Sequence, residues 1–535
     1  MKIRFSSNQG YLRSFSHIVL ITLLILLHWQ TISFFPVNIS TGNASHIIAQ
    51  FRPKLHESDY QVYVNHSGKT FDGYNIFQFR DFANGRYSFQ ITDMEGNIIS
   101  SFPSENNYGY VHLINSTTFL LISTGPSYLW NIETNENITI PFNSLHDISF
   151  NPKTNTFITL SSYLIEYFDL IDSTAIYRYD TICEMNMTGD IIWQLNTSSF
   201  VPFEWWSATK EFTGSNRDVT HSNTVFWDIE EDLIYLNCRN INTFYKIDHA
   251  TGEVIWGLGQ HGDFTLFDQW GNQRKNLFYH AHALEKVDEN TFILFDNDYL
   301  NETIDENFRS RILEITIDEN TMIANISWVW TGTDEYYTAY WGDADRLPNG
   351  NRFGTFGSKT HISSFIGPRL VEVDEFGNIV WEMYYIGGTL GIYKTERFRL
   401  SPILGSPEDR LLQTGDSLNL SWLTWYNFRT RLKMNGSYTL YHNRSPVDTG
   451  DHVFDKFWRP TILTFHIDPL EKGIHNFTLT VADEGGHITE DTVLIYVDVT
   501  PTSTIMTSDS VTIYTTPVFL LGLGILVLTQ KKRQK

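Results

Sequence analysis

Residues 246–256 read Lys-Ile-Asp-His-Ala-Thr-Gly-Glu-Val-Ile-Trp: a β-prone run, a turn containing Asp and Gly, and a second run that ends in Trp. The same order recurs at residues 91–99, 184–193 and 372–381, and in degenerate form at 314–330. Gly supplies the positive φ that such a tight turn needs, and we expect the Trp to pack between neighbouring sheets. The repeat therefore predicts an all-β chain built from hairpin sheets.

The repeats are spaced by roughly 60 residues, which leaves room for long loops beyond a four-stranded blade. Radial repetition of hairpin sheets is the arrangement by which a β-propeller protects its strand edges. An array of β-sandwiches would also contain hairpins, but not this recurrent ending in Gly, two branched residues and Trp. We predict a β-propeller over residues 45–402.

The pattern changes after residue 402. From Gly415 to Val499 short alternating strands are separated by turns, and about 85 residues are enough for one sandwich domain. The segment 474–486 resembles immunoglobulin-like or cadherin-like surface modules. We predict an immunoglobulin-like β-sandwich at 410–499 that acts as a spacer, followed by a Thr/Ser-rich stalk at 500–510.

Both ends of the chain are apolar and flanked by basic residues. Residues 1–36 predict a signal peptide or an N-terminal membrane anchor. Residues 511–530 are long enough for a transmembrane helix, and the basic tail 531–535 should remain cytoplasmic. Frequent Asn-x-Ser/Thr sites, such as Asn65 and Asn476, indicate a glycoprotein. We expect a single-pass or double-pass cell-membrane protein with an extracytoplasmic body.

The composition restricts the partners. The formal net charge is −23, which argues against nucleic acid because phosphate binding needs clustered Lys and Arg. Aromatic residues make up 15% of the chain, which suits pleated sheets. The two cysteines, Cys183 and Cys238, form either a disulfide or two separate buried thiols. We expect no metal and no cofactor, and the sequence leaves the oligomeric state open.

A series of histidine-containing segments carries the functional prediction. In chain order, the segments are His146–Asp–Ile–Ser–Phe, Thr220–His–Ser–Asn223, Phe278–Tyr–His–Ala–His282, Phe295–Asp–Asn–Asp298, Arg309–Ser–Arg311, Leu347–Pro–Asn–Gly–Asn351 with His361 after it, and Tyr393–Lys–Thr–Glu–Arg397. In this order they resemble segments of the arylsulfotransferase family, whose members transfer sulfuryl groups without phosphoadenosine phosphosulfate. The resemblance extends from Tyr60 to Leu400.

The resemblance implies a six-bladed propeller and a ping-pong reaction between a phenolic sulfate ester and a phenol. His361 is then the nucleophile that becomes sulfohistidine, since a neutral imidazole is a competent nucleophile near neutral pH. His221 and His282 are the oxyanion donors and acid–base groups, and Arg311 is the sulfate clamp. No residue between 299 and 308 cleanly matches the arginine that family members carry there.

The remaining positions have supporting or alternative roles. Asn223, Arg309 and His280 are predicted to bind substrate, with Arg309 an alternative clamp and His280 competing with His282 for one family position. His146 either caps the loop before a strand or lines the channel. The alternative function is a non-catalytic surface propeller that serves as an adhesion or ligand-binding protein.

Overall fold

The Asp–Gly turns of the sequence repeat adopt the predicted backbone conformation. The glycine that closes each turn has a φ value of 74–87°: Gly96, Gly189, Gly252 and Gly377. In the first turn the Asp93 carboxylate accepts hydrogen bonds from the backbone N–H groups of Glu95 and Asn97, at 3.0 and 2.8 Å. Each turn therefore carries its own side-chain brace, and the hairpins form locally.

The computed structural model describes residues 61–499, apart from residues 107, 142–143, 145, 168–174, 207–209, 300–308, 358–365 and 387–388. The described residues contain 38 strands. Short 3-10 helices occur at Thr197–Ser199, Phe203–Trp205, Arg239–Ile241 and Asp334–Tyr336. The prediction of an all-β chain is confirmed.

The first half of the strands runs in chain order to residue 248. They are β1 (Gln61–His66), β2 (Tyr74–Asp81), β3 (Arg86–Thr92), β4 (Ile98–Ser104), β5 (Gly109–Leu113), β6 (Thr118–Ser123), β7 (Ser127–Asn131), β8 (Asn137–Ile140), β9 (Ile148–Asn151), β10 (Thr156–Tyr167), β11 (Ala175–Asn186), β12 (Ile191–Asn196), β13 (Phe212–Thr213), β14 (Asn216–Asp218), β15 (Ser222–Asp228), β16 (Leu233–Cys238) and β17 (Thr243–Asp248).

The second half begins at residue 254. These strands are β18 (Val254–Gly259), β19 (Thr265–Phe267), β20 (Gln273–Arg274), β21 (His282–Lys286), β22 (Thr291–Asp296), β23 (Arg311–Asp318), β24 (Ile323–Thr331), β25 (Asp343–Arg346), β26 (Arg352–Phe356), β27 (Ile366–Val373), β28 (Ile379–Ile386), β29 (Leu390–Gly391), β30 (Thr395–Phe398), β31 (Ile403–Gly405), β32 (Arg410–Leu412), β33 (Leu418–Trp425), β34 (Met434–His442), β35 (Ser445–Phe454), β36 (Thr461–Ile467), β37 (Gly473–Asp483) and β38 (Ile488–Val497).

Six sheets account for the strands up to residue 398, and they are antiparallel except where β14 pairs with β11 and β19 pairs with β24. Five are built on four consecutive strands each: β5–β8, β9–β12, β15–β18, β21–β24 and β25–β28. The sixth joins the two ends of this region, because β30 pairs with β2 beside β3 and β4. A second closure pairs β1 with β28. The first strands contact one another in the order β30, β5, β9, β15, β21 and β25.

Tryptophans link neighbouring sheets, as the repeat predicted. The indole N–H of Trp381 in β28 donates to the backbone oxygen of Met94 at 2.9 Å, after β3. The indole N–H of Trp330 in β24 donates to the oxygen of Gly377 at 3.2 Å, in the next sheet. Trp381 is fully buried, so each indole removes a large apolar surface from water while its N–H is satisfied.

Residues 403–497 form two further sheets, β31-β33-β36 and β32-β38-β37-β34-β35. Their inner faces share one hydrophobic cluster, in which Trp422 and Phe465 of one sheet meet Leu479 and Val493 of the other. The cluster continues into the earlier sheets, where Phe71 belongs to it. A sheet face that alternates buried and exposed residues, as β33 does, needs such a cover.

Buried charges also join residues 403–497 to the earlier sheets. Arg429 pairs with Asp345 at 3.0 Å and with Glu285. Lys456 pairs with Asp228 at 2.6 Å. The side chains of both ion-pair groups are withdrawn from water. The sequence predicted a spacer here, and in the structure this segment also supplies cations to carboxylates of the neighbouring sheets.

The predicted signal peptide or anchor at 1–36, the transmembrane helix at 511–530 and the stalk and tail lie outside the described residues. Over the ranges that the structure describes, no helix combines the length and the apolar character needed to cross a membrane.

The cysteines do not pair. Cys183 and Cys238 are buried free thiols, so of the two alternatives the disulfide is the wrong one. Each sulfur contacts a serine hydroxyl of its own sheet: Cys183 lies 3.6 Å from Ser161 Oγ, and Cys238 lies 3.5 Å from Ser222 Oγ. Burial raises the pKa of both thiols, which makes them inert at neutral pH.

Candidate active site

His221 stands at the entrance to β15 and is held by a carboxylate. Its φ is +43°, a left-handed conformation that costs energy for a residue with a Cβ. Its Nδ1 donates to Asp218 Oδ2 at 2.7 Å, and Arg178 binds the same carboxylate oxygen at 2.9 Å. Burial tends to raise the pKa of Asp218, but the bonds from His221, Arg178 and Thr213 outweigh it and hold the pKa well below its usual range. An ionised Asp218 fixes the proton on Nδ1.

His282, the first residue of β21, is fixed by an amide instead. Its Nδ1 lies 2.6 Å from Asn297 Oδ1. The Asn297 nitrogen donates to the backbone oxygens of Thr338 and Trp341 at 2.8 and 2.7 Å, so the oxygen of Asn297 must be the acceptor. His282 Nδ1 therefore carries the proton. Burial, and then the charge of Arg239, hold the pKa of His282 well below its ordinary value. The ring is neutral, with its lone pair on Nε2.

A third imidazole and a tyrosine complete the cluster. The rings of His146 and His221 lie 5.0 Å apart, centroid to centroid. Tyr393 lies 5.9 Å from His282 and 6.5 Å from His146. Burial first, then the charges of His221 and Arg178, lower the pKa of His146 well below its ordinary value. His146 was predicted either to cap a loop or to line the channel, and this placement fits the second prediction.

Arg239 is the cation of this cluster, and the sequence did not indicate it. It begins the 3-10 helix that follows β16, and its side chain is buried. Nη1 donates to Asn240 Oδ1 at 2.7 Å, whereas Nη2 is buried and has no hydrogen-bond partner in the described part of the chain. Its charge lowers the pKa of His146, His280 and His282. A buried guanidinium with a free donor is suited to an anionic ligand.

The two arginines proposed from the sequence are placed differently. Arg311 makes a close ion pair with Asp296 and donates to the backbone oxygen of Leu277 at 3.0 Å. Arg309 lies 3.5 Å from Asp334, with 45% of its side chain exposed. Asp296 thus already engages Arg311, and the structure does not bring Arg309 to the histidines.

Asn223 and His280, which were predicted to bind substrate, make hydrogen bonds to backbone oxygens. Asn223 is fully buried and donates to the backbone oxygen of Ala281 at 2.9 Å. His280 has φ +55°, and its Nδ1 lies 2.8 Å from the backbone oxygen of Tyr299. Both flank the start of β21, so their contacts position His282. His361, the predicted nucleophile, lies outside the described residues, shortly after β26 ends at Phe356.

A match to the arylsulfotransferase (ASST) family spans residues 65–387. The chain therefore belongs to this family, and the prediction of an aryl sulfotransferase that does not use phosphoadenosine phosphosulfate is confirmed. Comparison with curated proteins gives no match.

Among solved structures, hydrazine synthase from Kuenenia stuttgartiensis is 10% identical, covering 54% of this chain and 71% of its own, with a TM-score of 0.30. A luciferin-regenerating enzyme is 12% identical over 59% of this chain and 84% of its own, with a TM-score of 0.27. The CARDB domain of the PF1109 protein from Pyrococcus furiosus is 12% identical over 18% and 89%, with a TM-score of 0.15. Scores this low carry no argument about fold or function.

Proposed function

We propose that this arylsulfotransferase moves a sulfuryl group from a phenolic sulfate ester to a phenolic acceptor through a covalent sulfohistidine. The observation that carries the proposal is the convergence of His221, His282 and Arg239, with the proton of each imidazole fixed on Nδ1 by Asp218 or Asn297. The Nε2 atoms are then available for chemistry, which is the arrangement that acid–base catalysis requires.

The proposed scaffold is a six-bladed β-propeller followed by an immunoglobulin-like β-sandwich. Six sheets whose first strands contact one another in sequence, closed by β1 with β28 and by β30 with β2, support the propeller. Two sheets that share one core over residues 403–497 support the sandwich. Loops that enter the first strands of a propeller converge near its axis, which explains how histidines far apart in sequence meet.

In the first half-reaction, a neutral imidazole nitrogen of His361 attacks sulfur, the N–S bond forms and the S–O bond to the phenolate breaks. His221 acts in its imidazolium form, which the ionised Asp218 stabilises, and donates the proton on Nε2 to the leaving phenolate while Nδ1 keeps its own. Arg239 Nη2 binds the sulfuryl oxygens, on which negative charge accumulates.

In the second half-reaction, the acceptor phenol gives its proton to His282 Nε2 and its oxygen attacks sulfur, which breaks the N–S bond. The lowered pKa of His282 keeps this nitrogen free to accept a proton at neutral pH. His282 then releases the proton to water and His221 takes one up, so the overall reaction consumes no proton.

The test is turnover of 4-nitrophenyl sulfate by the full-length protein with and without phenol. We expect nitrophenol release that depends on phenol and is lost in His361→Ala, with His442→Ala in β34 as the matched histidine control. Peptide mass spectrometry after incubation with donor alone should locate the sulfuryl group on His361. Release that is unchanged in His361→Ala, or a sulfuryl group on another residue, would contradict the assignment of the nucleophile.

We further propose that residues 511–530 anchor the protein in the cell membrane, with residues 1–36 as a signal peptide or second anchor and the catalytic body outside the cytoplasm. The apolar terminal segments and the Asn-x-Ser/Thr sites support this. Protease treatment of intact cells should digest the body and leave a fragment that carries the basic tail. Full protection of the body would exclude this topology.

A further inference from the structure

A second buried arginine lies beside His146 and has no acidic partner among the described residues. Arg80 in β2 is 1% exposed, with Nε bonded to Gln78 Oε1 at 2.9 Å and Nη2 bonded to the backbone oxygen of Gly109 at 2.8 Å. Its Nη1 is buried without a hydrogen-bond partner within the described ranges. Burial lowers the pKa of Arg80 to about 10, and the groups that counteract this shift are tyrosines.

Aromatic side chains surround this guanidinium. Its Cζ lies 4.6 Å from the ring centre of Trp341 and 5.7 Å from those of Tyr108 and Tyr393. These residues, with His146, line an open pocket whose empty space, adjoining solvent included, is about 310 Å³. Rings attract a cation through their faces but do not neutralise it, so the buried charge has no counter-ion in the part of the chain that the structure describes.

The pocket is continuous with the histidine cluster. Tyr393 contacts both His146 and His282, and it lies 6.2 Å from Trp341, edge to face. Asn297 holds the His282 ring with its oxygen and the Trp341 backbone with its nitrogen. One amide thus links the backbone of the aromatic wall to the His282 imidazole, and Tyr393 lies between Trp341 and His282.

From this geometry we infer that the acceptors of the enzyme are phenols with an anionic substituent, whose carboxylate or similar group binds Arg80 Nη1 while the ring packs against Trp341 and Tyr393. The inference rests on the proposed function for the transfer step. An anion at Nη1 would supply both the missing hydrogen bond and the missing counter-charge, whereas a neutral substituent would leave the cation buried and unpaired.

The test compares 4-hydroxybenzoate with 4-hydroxybenzamide, which has nearly the same shape but no charge, as acceptors from 4-nitrophenyl sulfate. We expect kcat/KM for the benzoate to exceed that for the benzamide by roughly tenfold to a hundredfold, the range of a charge-assisted hydrogen bond. Arg80→Met should abolish the preference and leave turnover of the benzamide intact, and Arg80→Lys should retain part of the preference. Thermal melting establishes that the variants fold.

Calorimetric titration of each protein with 4-hydroxybenzoate separates this inference from the proposed function. Binding that depends on Arg80, without sulfuryl transfer, would support the subsite and refute the proposed reaction. Sulfuryl transfer without a preference for the benzoate in the wild-type protein would overturn the subsite. Equal loss of turnover for both acceptors in Arg80→Met, with unchanged benzoate binding, would also overturn it and would place Arg80 on the sulfuryl group.

Discussion

Replacing Arg429 with Met should destabilise the whole fold, because Arg429 joins residues 403–497 to the earlier sheets. Its guanidinium pairs with Asp345 and Glu285, and it also donates to the backbone oxygen of Lys286 at 2.6 Å. Only 6% of its side chain is exposed. Methionine matches the length of the aliphatic stem but removes the cation paired with Asp345 and leaves Glu285 with only Arg431, at 3.7 Å. Removing one partner of a buried ion pair costs about 3–5 kcal/mol.

The loss in Arg429→Met should depend on pH. Burial first, then the neighbouring charge of Glu285, raise the pKa of Asp345 in the folded protein to about 7, even with Arg429 present. The unfolded value is about 3.9, so between these values the folded state binds the extra proton and stability falls as pH rises. Without Arg429 the carboxylates gain more from protonation. We therefore expect the largest destabilisation at pH 8 and a smaller one at pH 5.5.

The assay is urea unfolding followed by tryptophan fluorescence at the two pH values, with the midpoint and slope fitted for each variant. Arg410→Met is the matched control, since Arg410 in β32 is exposed in the same segment. Arg429→Lys, which keeps the charge but not the fork of donors, should fall between the two. The reasoning is refuted if Arg429→Met unfolds at the same urea concentration as Arg410→Met at pH 8, or if its deficit is the same at both pH values.

Three further outcomes are expected. Asp218→Asn should lower sulfuryl transfer by about 10²–10⁴-fold, because the general acid loses the carboxylate that stabilises its charged form; unchanged turnover in a folded variant would exclude that role. Hydrogen bonding to Asp483 raises the pKa of His487, so its contribution is complete below about pH 6.5 and lost as pH rises through the raised value; the melting deficit of His487→Gln should therefore be larger at pH 5.5 than at pH 9, and the reverse order would count against the ion pair. A Cβ on Gly342 would lie 2.2 Å from a phenylalanine ring at φ +139°, whereas Gly350 at φ +86° has open space; Gly342→Ala should melt well below Gly350→Ala, and equal melting would show that the ring moves freely.

The sequence predicted the local features of this fold because they depend on neighbouring residues. The turns at Gly96 and Gly377 and the burial of Trp381 follow from a residue type and its spacing within one hairpin. The C-terminal segment was less predictable, since the contacts of Arg429 lie 84 and more residues away along the chain. A lone arginine in a strand-rich stretch gives no sign of such a partner.

The same distinction divides the candidate site. His221 and His282 were predicted because they stand in recognisable segments, and the structure places both in one cluster. Arg239 and Arg80 were missed, since what distinguishes them is a buried donor without an acceptor, a property of tertiary packing. The proton position on His282 was equally hidden, because it depends on two backbone oxygens that orient Asn297.

Strands β15 and β21 have the histidines at one end and contact residues 403–497 towards the other. His221 immediately precedes β15 and His282 begins β21, whereas Glu285, at the other end of β21, binds Arg429. Arg431 reaches the backbone oxygen of Val225 within β15, at 3.5 Å. The C-terminal segment thus covers one end of strands whose opposite ends carry the histidines, so in the proposed mechanism substrate approaches from the histidine end.

These contacts make the two sheets of residues 403–497 part of the folded body of the enzyme as well as a link to the segments that follow them. Deleting residues 403–499 would expose Phe71, whose ring Trp458 covers at 5.4 Å, and leave Asp228 with only Lys286 of its two lysines. We expect the loss of these cations to loosen β15 and β21, the strands that position His221 and His282. The distance between His221 and His282 therefore depends on residues that touch neither of them.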